Sequence, residues 1–288
     1  MNVLVTGATG RLGPHVVRDL LDRGCSVQAL TRRSRADLAG VLPQEVALVH
    51  GDLENPDHLR DLLGTVEDVV LITPHGPSMG STQIGVIEAA RATGTRVVKV
   101  SGTSSGIRPD GPDACRQHWQ VEQHLADSGL PFAVLRPNGF MQTLLAGMAG
   151  TVRSSGRLIN PLGTAGISIV DCADVGRAIG AVTVDHSKDG RTFVLTGPEA
   201  STYRSIAKSV GEVTGQEVEV VDVSPQEAGA AAQERGLSPW EAEHLAEMLA
   251  MFATGASEYV TGDVEELTGR RPASARDWIA TNRELFVG

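Results

Sequence analysis

Gly7, Gly10 and Gly13 stand in the stretch "LVTGATGRLGPHVV", behind an apolar run and ahead of a run with helical spacing. Glycines so placed allow a tight turn, let the backbone approach a pyrophosphate and let a helix pack close to a strand. The helix start adds free N–H groups and a partial positive charge. With 33 glycines in 288 residues, spacing alone carries little weight. Position carries more, because the triplet opens at the seventh residue within a strand-helix-strand unit. The chemistry this predicts is dinucleotide binding by Gly7, Thr9, Gly10, Arg11, Leu12 and Gly13.

A second set follows in "ALTRRSRAD", at the end of the next strand-like run. An NAD-preferring site usually places a carboxylate there for the ribose hydroxyls. Arg32, Arg33 and Arg35 occupy the region instead, and a guanidinium fork suits a phosphate. NADP(H) is therefore the expected cofactor, with Arg32 the leading contact, Arg33 a weaker one and Arg11 able to assist. Asp52, with Leu53 beside it in "VHGDLEN", has two readings, as acceptor for the adenine amino group or as a turn residue or helix cap.

Positioning these groups requires a sheet. Short β-branched runs at 2–6, 26–31, 46–50, 68–73, 96–101, 132–137 and 192–197 alternate with amphipathic stretches, the pattern of a parallel sheet. The strands are apolar nearly throughout, so helices should cover both faces, giving an α/β, doubly wound fold. After Pro137 the alternation loosens. "GRLINPLG" and "AGISIVD" read as short strands around a turn, "ADVGRAIGAVTV" as a helix and "EVEVVDV" as a strand outside the main series. From Ser238 to Phe286 the chain reads as mostly helical. The expected division is a nucleotide-binding domain over 1–137 with a returning strand at about 191–197, and a smaller, mostly helical lobe over 138–190 and 198–288.

Composition excludes several partners. A formal charge of −10 without a long basic run disfavours nucleic acid. No apolar run reaches the ~20 residues that span a bilayer, and no cleavable leader precedes "VLVTG", so a soluble, cytoplasmic protein is expected. Cys25, Cys115 and Cys172 show no pair spacing and read as buried thiols. His15, His50, His58, His75, His124, His186 and His244 show no metal-ligand spacing, and no metal is expected. Oligomeric state is open.

The stretches "TGATGRLG", "TRR", "GDL", "VSGTSS", "HWQVEQHLADSGLPFAVLRPNGFM" and "LTGRRPASARDWIATNRELF" together resemble the NmrA-like branch of the atypical short-chain dehydrogenase/reductase superfamily, over nearly the whole chain. The resemblance implies a Rossmann-type sheet domain, a small C-terminal substrate lobe and an NADP(H) site between them. Members include NADPH:quinone reductases, other reductases and regulators that bind the dinucleotide without turning it over. Catalytic members of the wider superfamily carry Tyr-x-x-x-Lys on the helix before the sixth strand. Counting back from "VEQHL", Ala114 and His118 fall at those places. The only tyrosines, Tyr203 and Tyr259, lie in the C-terminal lobe. The hydroxyl position after the fifth strand is better kept, by Ser101, Thr103 or Ser104.

Loss of the acid should cost ~10²–10⁴ in rate for ordinary ketone reduction. The expected reaction is therefore hydride transfer to a quinone-like or conjugated carbonyl compound, with His118 as donor or ribose ligand. Alternatives are a non-catalytic NADP(H) sensor or regulator, and a biosynthetic ketoreductase or isomerase with a rebuilt acid. Thr73 and Pro74 after the fourth strand, and Pro137 and Asn138 after the sixth, are expected at the cofactor. Phe140, Met141, Met248 and Phe252 are expected at a small-molecule substrate, with Gly139 and Met251 nearby. The same apolar residues at helical spacing also read as plain core.

Overall fold

β1 (Asn2–Val5) forms where Val3, Leu4 and Val5 have both faces covered, and each is fully buried. The computed structural model describes Met1–Val287. In chain order β1 is followed by α1 (Gly13–Asp22), β2 (Ser26–Thr31), β3 (Ala47–His50), α2 (Pro56–Leu63), β4 (Asp68–Leu71), α3 (Met79–Thr93), β5 (Arg96–Val100), α4 (Asp113–Asp127) and β6 (Phe132–Pro137). Then come α5 (Met141–Ser155), β7 (Arg157–Asn160), β8 (Gly166–Ile167), α6 (Cys172–Val184), β9 (Thr192–Leu195), β10 (Ser201–Thr202), α7 (Tyr203–Thr214), β11 (Glu219–Asp222), α8 (Pro225–Glu234), α9 (Pro239–Ala253), α10 (Asp263–Thr268) and α11 (Ala275–Thr281).

Seven strands make one sheet in the order β3-β2-β1-β4-β5-β6-β9. Its pairs are parallel, with Val5 opposite Ala29 on one side of β1 and opposite Val70 on the other. The order reverses at β1, so the loop leaving that strand opens at the switch point where ligands of such sheets bind. The fold is the expected α/β, Rossmann-type sheet. Leu4, Val69, Leu71, Val97 and Val134 build its core with Leu59, Leu63, Ile87, Val121 and Leu125 from α2, α3 and α4.

The chain forms two compact units. The first comprises Met1–Gly102, Ala114–Arg136 and Cys172–Phe193; the second comprises Thr103–Asp113, Pro137–Asp171 and Val194 onward. α6 belongs to the sheet unit, although its place in the sequence suggests the smaller lobe. The reason is local: a Cβ at Gly176 would lie 2.8 Å from that of His15, and one at Gly180 would lie 1.9 Å from Asp19 Oδ2. Two glycines one turn apart thus let α6 lie close against α1. Arg96, buried at the start of β5, holds the far end of α6 by donating to the carbonyls of Val182 and Thr183, both at 3.1 Å. The same guanidinium pairs with buried Asp68 at 3.0 Å and with Asp189 at 2.5 Å.

The second unit has its own core, in which Met141, Leu145, Leu158, Ile167, Tyr203, Ile206, Phe252 and Trp278 pack together. The two short strands expected around a turn both form, but they do not pair with each other. β7 pairs in parallel with β11, and β8 pairs antiparallel with β10. The helical C-terminal segment begins at Ser238, whose side chain and Glu241 form a reciprocal capping box on α9.

Among the described residues no helix is long and apolar enough to cross a membrane, and no group of His, Cys, Asp and Glu could hold a metal ion. Cys25, Cys115 and Cys172 are all buried and form no disulfide.

Candidate functional site

The loop after β1 is locked to β4 by Thr6. Its hydroxyl donates to the Ile72 carbonyl at 2.7 Å and accepts from the Ile72 N–H at 2.8 Å. Gly7 turns the chain at φ +61°, and a Cβ there would lie 2.8 Å from the Ile72 oxygen. Gly10 closes the turn by donating to the Gly7 carbonyl at 3.0 Å. At Gly13 a Cβ would sit 2.4 Å from that same carbonyl, so α1 must begin with a residue that has none. Gly10 and Arg11 are exposed, Thr9 and Gly7 half-buried and Leu12 buried. No side chain caps α1 and no acidic residue lies in its first turn. Its N-terminus keeps the partial positive charge that anions seek.

The arginines after β2 divide by what they already hold. Arg33 donates to the Asp37 carbonyl at 2.7 Å, and Arg35 donates to the carbonyls of Pro43 and Val46. Both are occupied in shaping their own loop. The Arg32 side chain is 82% exposed, with only a 3.9 Å ion pair to Asp52. Asp52 fills its turn role: Oδ1 accepts from the Glu54 N–H at 3.1 Å. Leu53 packs partly buried against the sheet core. After β4, half-buried Thr73 accepts from the Gln83 side chain at 2.6 Å, and Pro74 is exposed.

His118 lies one helical turn beyond buried Ala114 on α4 and is only 3% exposed. Its Nδ1 is 3.0 Å from Nζ of Lys99, a residue of β5 whose side chain is fully buried. Burial pushes the Lys99 ammonium down to about 7; the Glu122 carboxylate works against that shift and the Arg136 guanidinium with it. The ring of His75, exposed in the loop after β4, meets His118 edge-on with centroids 5.7 Å apart.

Ser101 follows Lys99 by two residues. Its hydroxyl donates to Glu122 Oε1 at 2.5 Å, and both Glu122 oxygens also accept from Arg136, one from Nε and one from Nη2. The Ser101 proton is thus committed to a buried ion pair. Lys99 is the residue that a motif search passes over. A signal existed, since a lysine inside an apolar parallel strand such as "RVVKVS" has both faces covered and cannot reach water.

Thr103 sits in the second unit, in a network of neutral groups. Asn138 donates from Nδ2 to Ser168 Oγ at 2.8 Å and to the Ser257 carbonyl at 3.0 Å, which turns its Oδ1 toward Thr103. Thr103 donates to that oxygen at 2.8 Å. Its single proton is then spent, so the Tyr259 hydroxyl, 3.0 Å away, donates to Thr103. No spacing in the sequence brings residues 103 and 259 together. Tyr203, by contrast, is buried in the core, where loss of solvent pushes its phenol far above the ordinary range.

Ser104 is half-buried, as are Gly139 and Phe140, while Pro137 and Asn138 are buried. Met141, Met251 and Phe252 are core side chains of the second unit, and Met248 packs partly buried against that core.

A parallel sheet with a glycine turn at its switch point defines a Rossmann-type α/β protein. The NmrA-like family model matches residues 1–271, and the chain belongs to that family. A (4-alkanoyl-5-oxo-2,5-dihydrofuran-3-yl)methyl phosphate reductase from Streptomyces griseus is 32% identical over 287 residues, covering 99% of each chain. An NAD(P)H azoreductase from Xenophilus azovorans is 28% identical over 285 residues, again with 99% of each covered. Among solved structures, an NADPH-dependent quinone oxidoreductase from Escherichia coli, complexed with NADPH, superposes with a TM-score of 0.88 at 24% identity. That match covers 98% of this chain and 99% of the other and shows a common fold.

Proposed function

We propose that this protein is an NADP(H)-dependent oxidoreductase that delivers hydride to a quinone-like or conjugated carbonyl compound, with His118 in place of the Tyr-x-x-x-Lys pair. The observation that carries the cofactor assignment is the uncapped start of α1 behind the Gly7–Gly13 turn, with Arg32 exposed at the end of β2. A side chain at Gly7 or Gly13 would strike backbone, whereas the exposed side of Gly10 is open to a pyrophosphate. Arg32, with exposed Arg11 able to assist, is the cation offered to a 2′-phosphate, since Arg33 and Arg35 are tied to their own loop. When bound, the dinucleotide supplies the hydride.

The acceptor class has its support in the relatives' names, two of which describe reduction of conjugated or azo compounds. Support also comes from the chain itself. Ala114 carries no acid, and the protons of Ser101 and Thr103 are committed to Glu122 and Asn138. Acceptors whose reduced oxygens are less basic than a simple alkoxide, and so can be served by the imidazole of His118, suit such a site. In this reading Ser101 and Thr103 shape the site rather than donate to substrate.

The test is a titration of NADPH against NADH, followed by NADPH oxidation across quinones, enones and simple ketones. Preferred binding of NADPH and turnover with quinones or enones are expected. Tight NADPH binding without oxidation by any acceptor would assign the chain to the sensors instead.

A further inference from the structure

We propose that Lys99 is a positioning residue and proton store for His118: its buried Nζ donates to Nδ1, holds the ring as the Nε2–H tautomer and replaces the proton that the ring gives up. The geometry is the ground for it. Two nitrogens 3.0 Å apart need one proton between them, and an ammonium has only donors to offer, so Nδ1 must accept. Lys99 is fully buried and His118 nearly so, which keeps bulk water from the pair. Among the described residues, the other acceptor within reach of Nζ is the Val100 carbonyl at 3.5 Å, the limit of a hydrogen bond. The charged groups facing the pair are Glu122 on α4 and Arg136 on β6, bound to each other, and His75 meets the ring from the loop after β4. A lysine with its proton held near neutrality by burial can both keep and release it.

The step rests on the reductase reading above and balances as follows. The dinucleotide, when bound, would supply the hydride that reduces the acceptor, and His118 gives its Nε2 proton to the acceptor's oxygen. The Nδ1 position takes a proton from Nζ, leaving Lys99 a neutral amine. After product leaves, a proton from water enters at Nε2 and the Nδ1 proton returns to Nζ. One hydride and one proton are consumed, and the pair is restored.

The experiment follows the His118 ring and Lys99 Nζ signals by NMR in histidine- and lysine-labelled protein, from about pH 5 to about pH 9, in the wild type, Lys99→Met and Glu122→Gln. The His118→Gln variant supplies the assignment. Expected is an Nε2–H ring at neutral pH, with a step that coincides with titration of the Lys99 Nζ signal. That step vanishes in Lys99→Met and moves to lower pH in Glu122→Gln, where the favourable carboxylate is gone. Identical His118 curves in the wild type and Lys99→Met, or an Nδ1–H ring in the wild type below the step, would overturn the proposal.

Turnover provides the second reading. Wild-type kcat should fall roughly tenfold or more as pH rises through that step, with KM for NADPH within about twofold, and Lys99→Met should be slow and flat. A Lys99→Met profile that keeps the wild-type limb would also overturn the proposal. If the wild type oxidises no NADPH with any acceptor, the reductase reading fails, while the ring titration still decides the pairing.

Discussion

Lys99, His118, Glu122 and Arg136 bring an amine, an imidazole, a carboxylate and a guanidinium into the interior of the sheet unit. Thr103, Asn138, Ser168 and Tyr259 join only neutral groups in the other unit. The first cluster can change its charge near neutral pH. The second can only redirect hydrogen bonds. A proton that must arrive on cue is therefore assigned to the first, and the second is read as a frame that fixes backbone after β5 and β6.

The sharpest way to break this contrast is His118→Ala. It should lower kcat by about 10²–10⁴ with NADPH affinity largely kept, the range for loss of a general acid, as measured by steady-state kinetics beside a binding titration. Unchanged turnover would remove His118 from the chemistry and with it the functional difference between the clusters.

The pH dependence of folding gives the next effect. The Lys99 amine titrates at about 7 when folded and near 10.5 when unfolded. Between those values the unfolded chain binds the extra proton, so the contribution of Lys99 makes stability fall as pH is lowered from about 10 to about 7, by at most ~1.4 kcal/mol per pH unit, and levels off below. In Lys99→Met this slope should be lost, and the variant should be at least as stable as the wild type at neutral pH. Urea melts across that range measure it, and parallel curves for the two proteins would contradict the burial cost.

Arg32→Asp tests the cofactor rather than the proton. It should raise the NADPH dissociation constant by about 10- to 100-fold and leave NADH binding little changed, the equivalent of one charge-assisted contact. Equal loss for both nucleotides would detach Arg32 from the 2′-phosphate.

Smallest is Tyr259→Phe. Removing one hydroxyl that donates to Thr103 should cost about 0.5–1.5 kcal/mol of stability and change kcat less than about threefold. A loss comparable to that of His118→Ala would mean that the neutral cluster supplies the acid after all.

The sheet was legible because its central strands are apolar runs with both faces covered, and the glycine turn because its tasks depend on missing side chains. The separation of Arg32 from Arg33 and Arg35 was less so, since it rests on which carbonyls fold back within reach. Pairing in the second unit was hidden for the same reason: β7 finds β11 some sixty residues later. The contact between Thr103 and Tyr259 spans 156 residues and leaves no local trace. Lys99 was legible in principle. Its burial follows from the strand around it, but its partner depends on how α4 lies over β5.

The interleaving of the two units bears on how the chain can be cut. α6 is seated on α1 by Gly176 and Gly180, anchored by Arg96 and followed by β9 at the edge of the sheet. A fragment ending at Pro137 would therefore bare one side of α1, leave buried Arg96 with Asp68 but without Asp189 and the carbonyls of Val182 and Thr183, and open the edge of β6 to other chains. The nucleotide-binding half cannot be isolated by truncation at its apparent boundary. Protease or deletion mapping should recover the sheet unit only when residues 172–193 are retained.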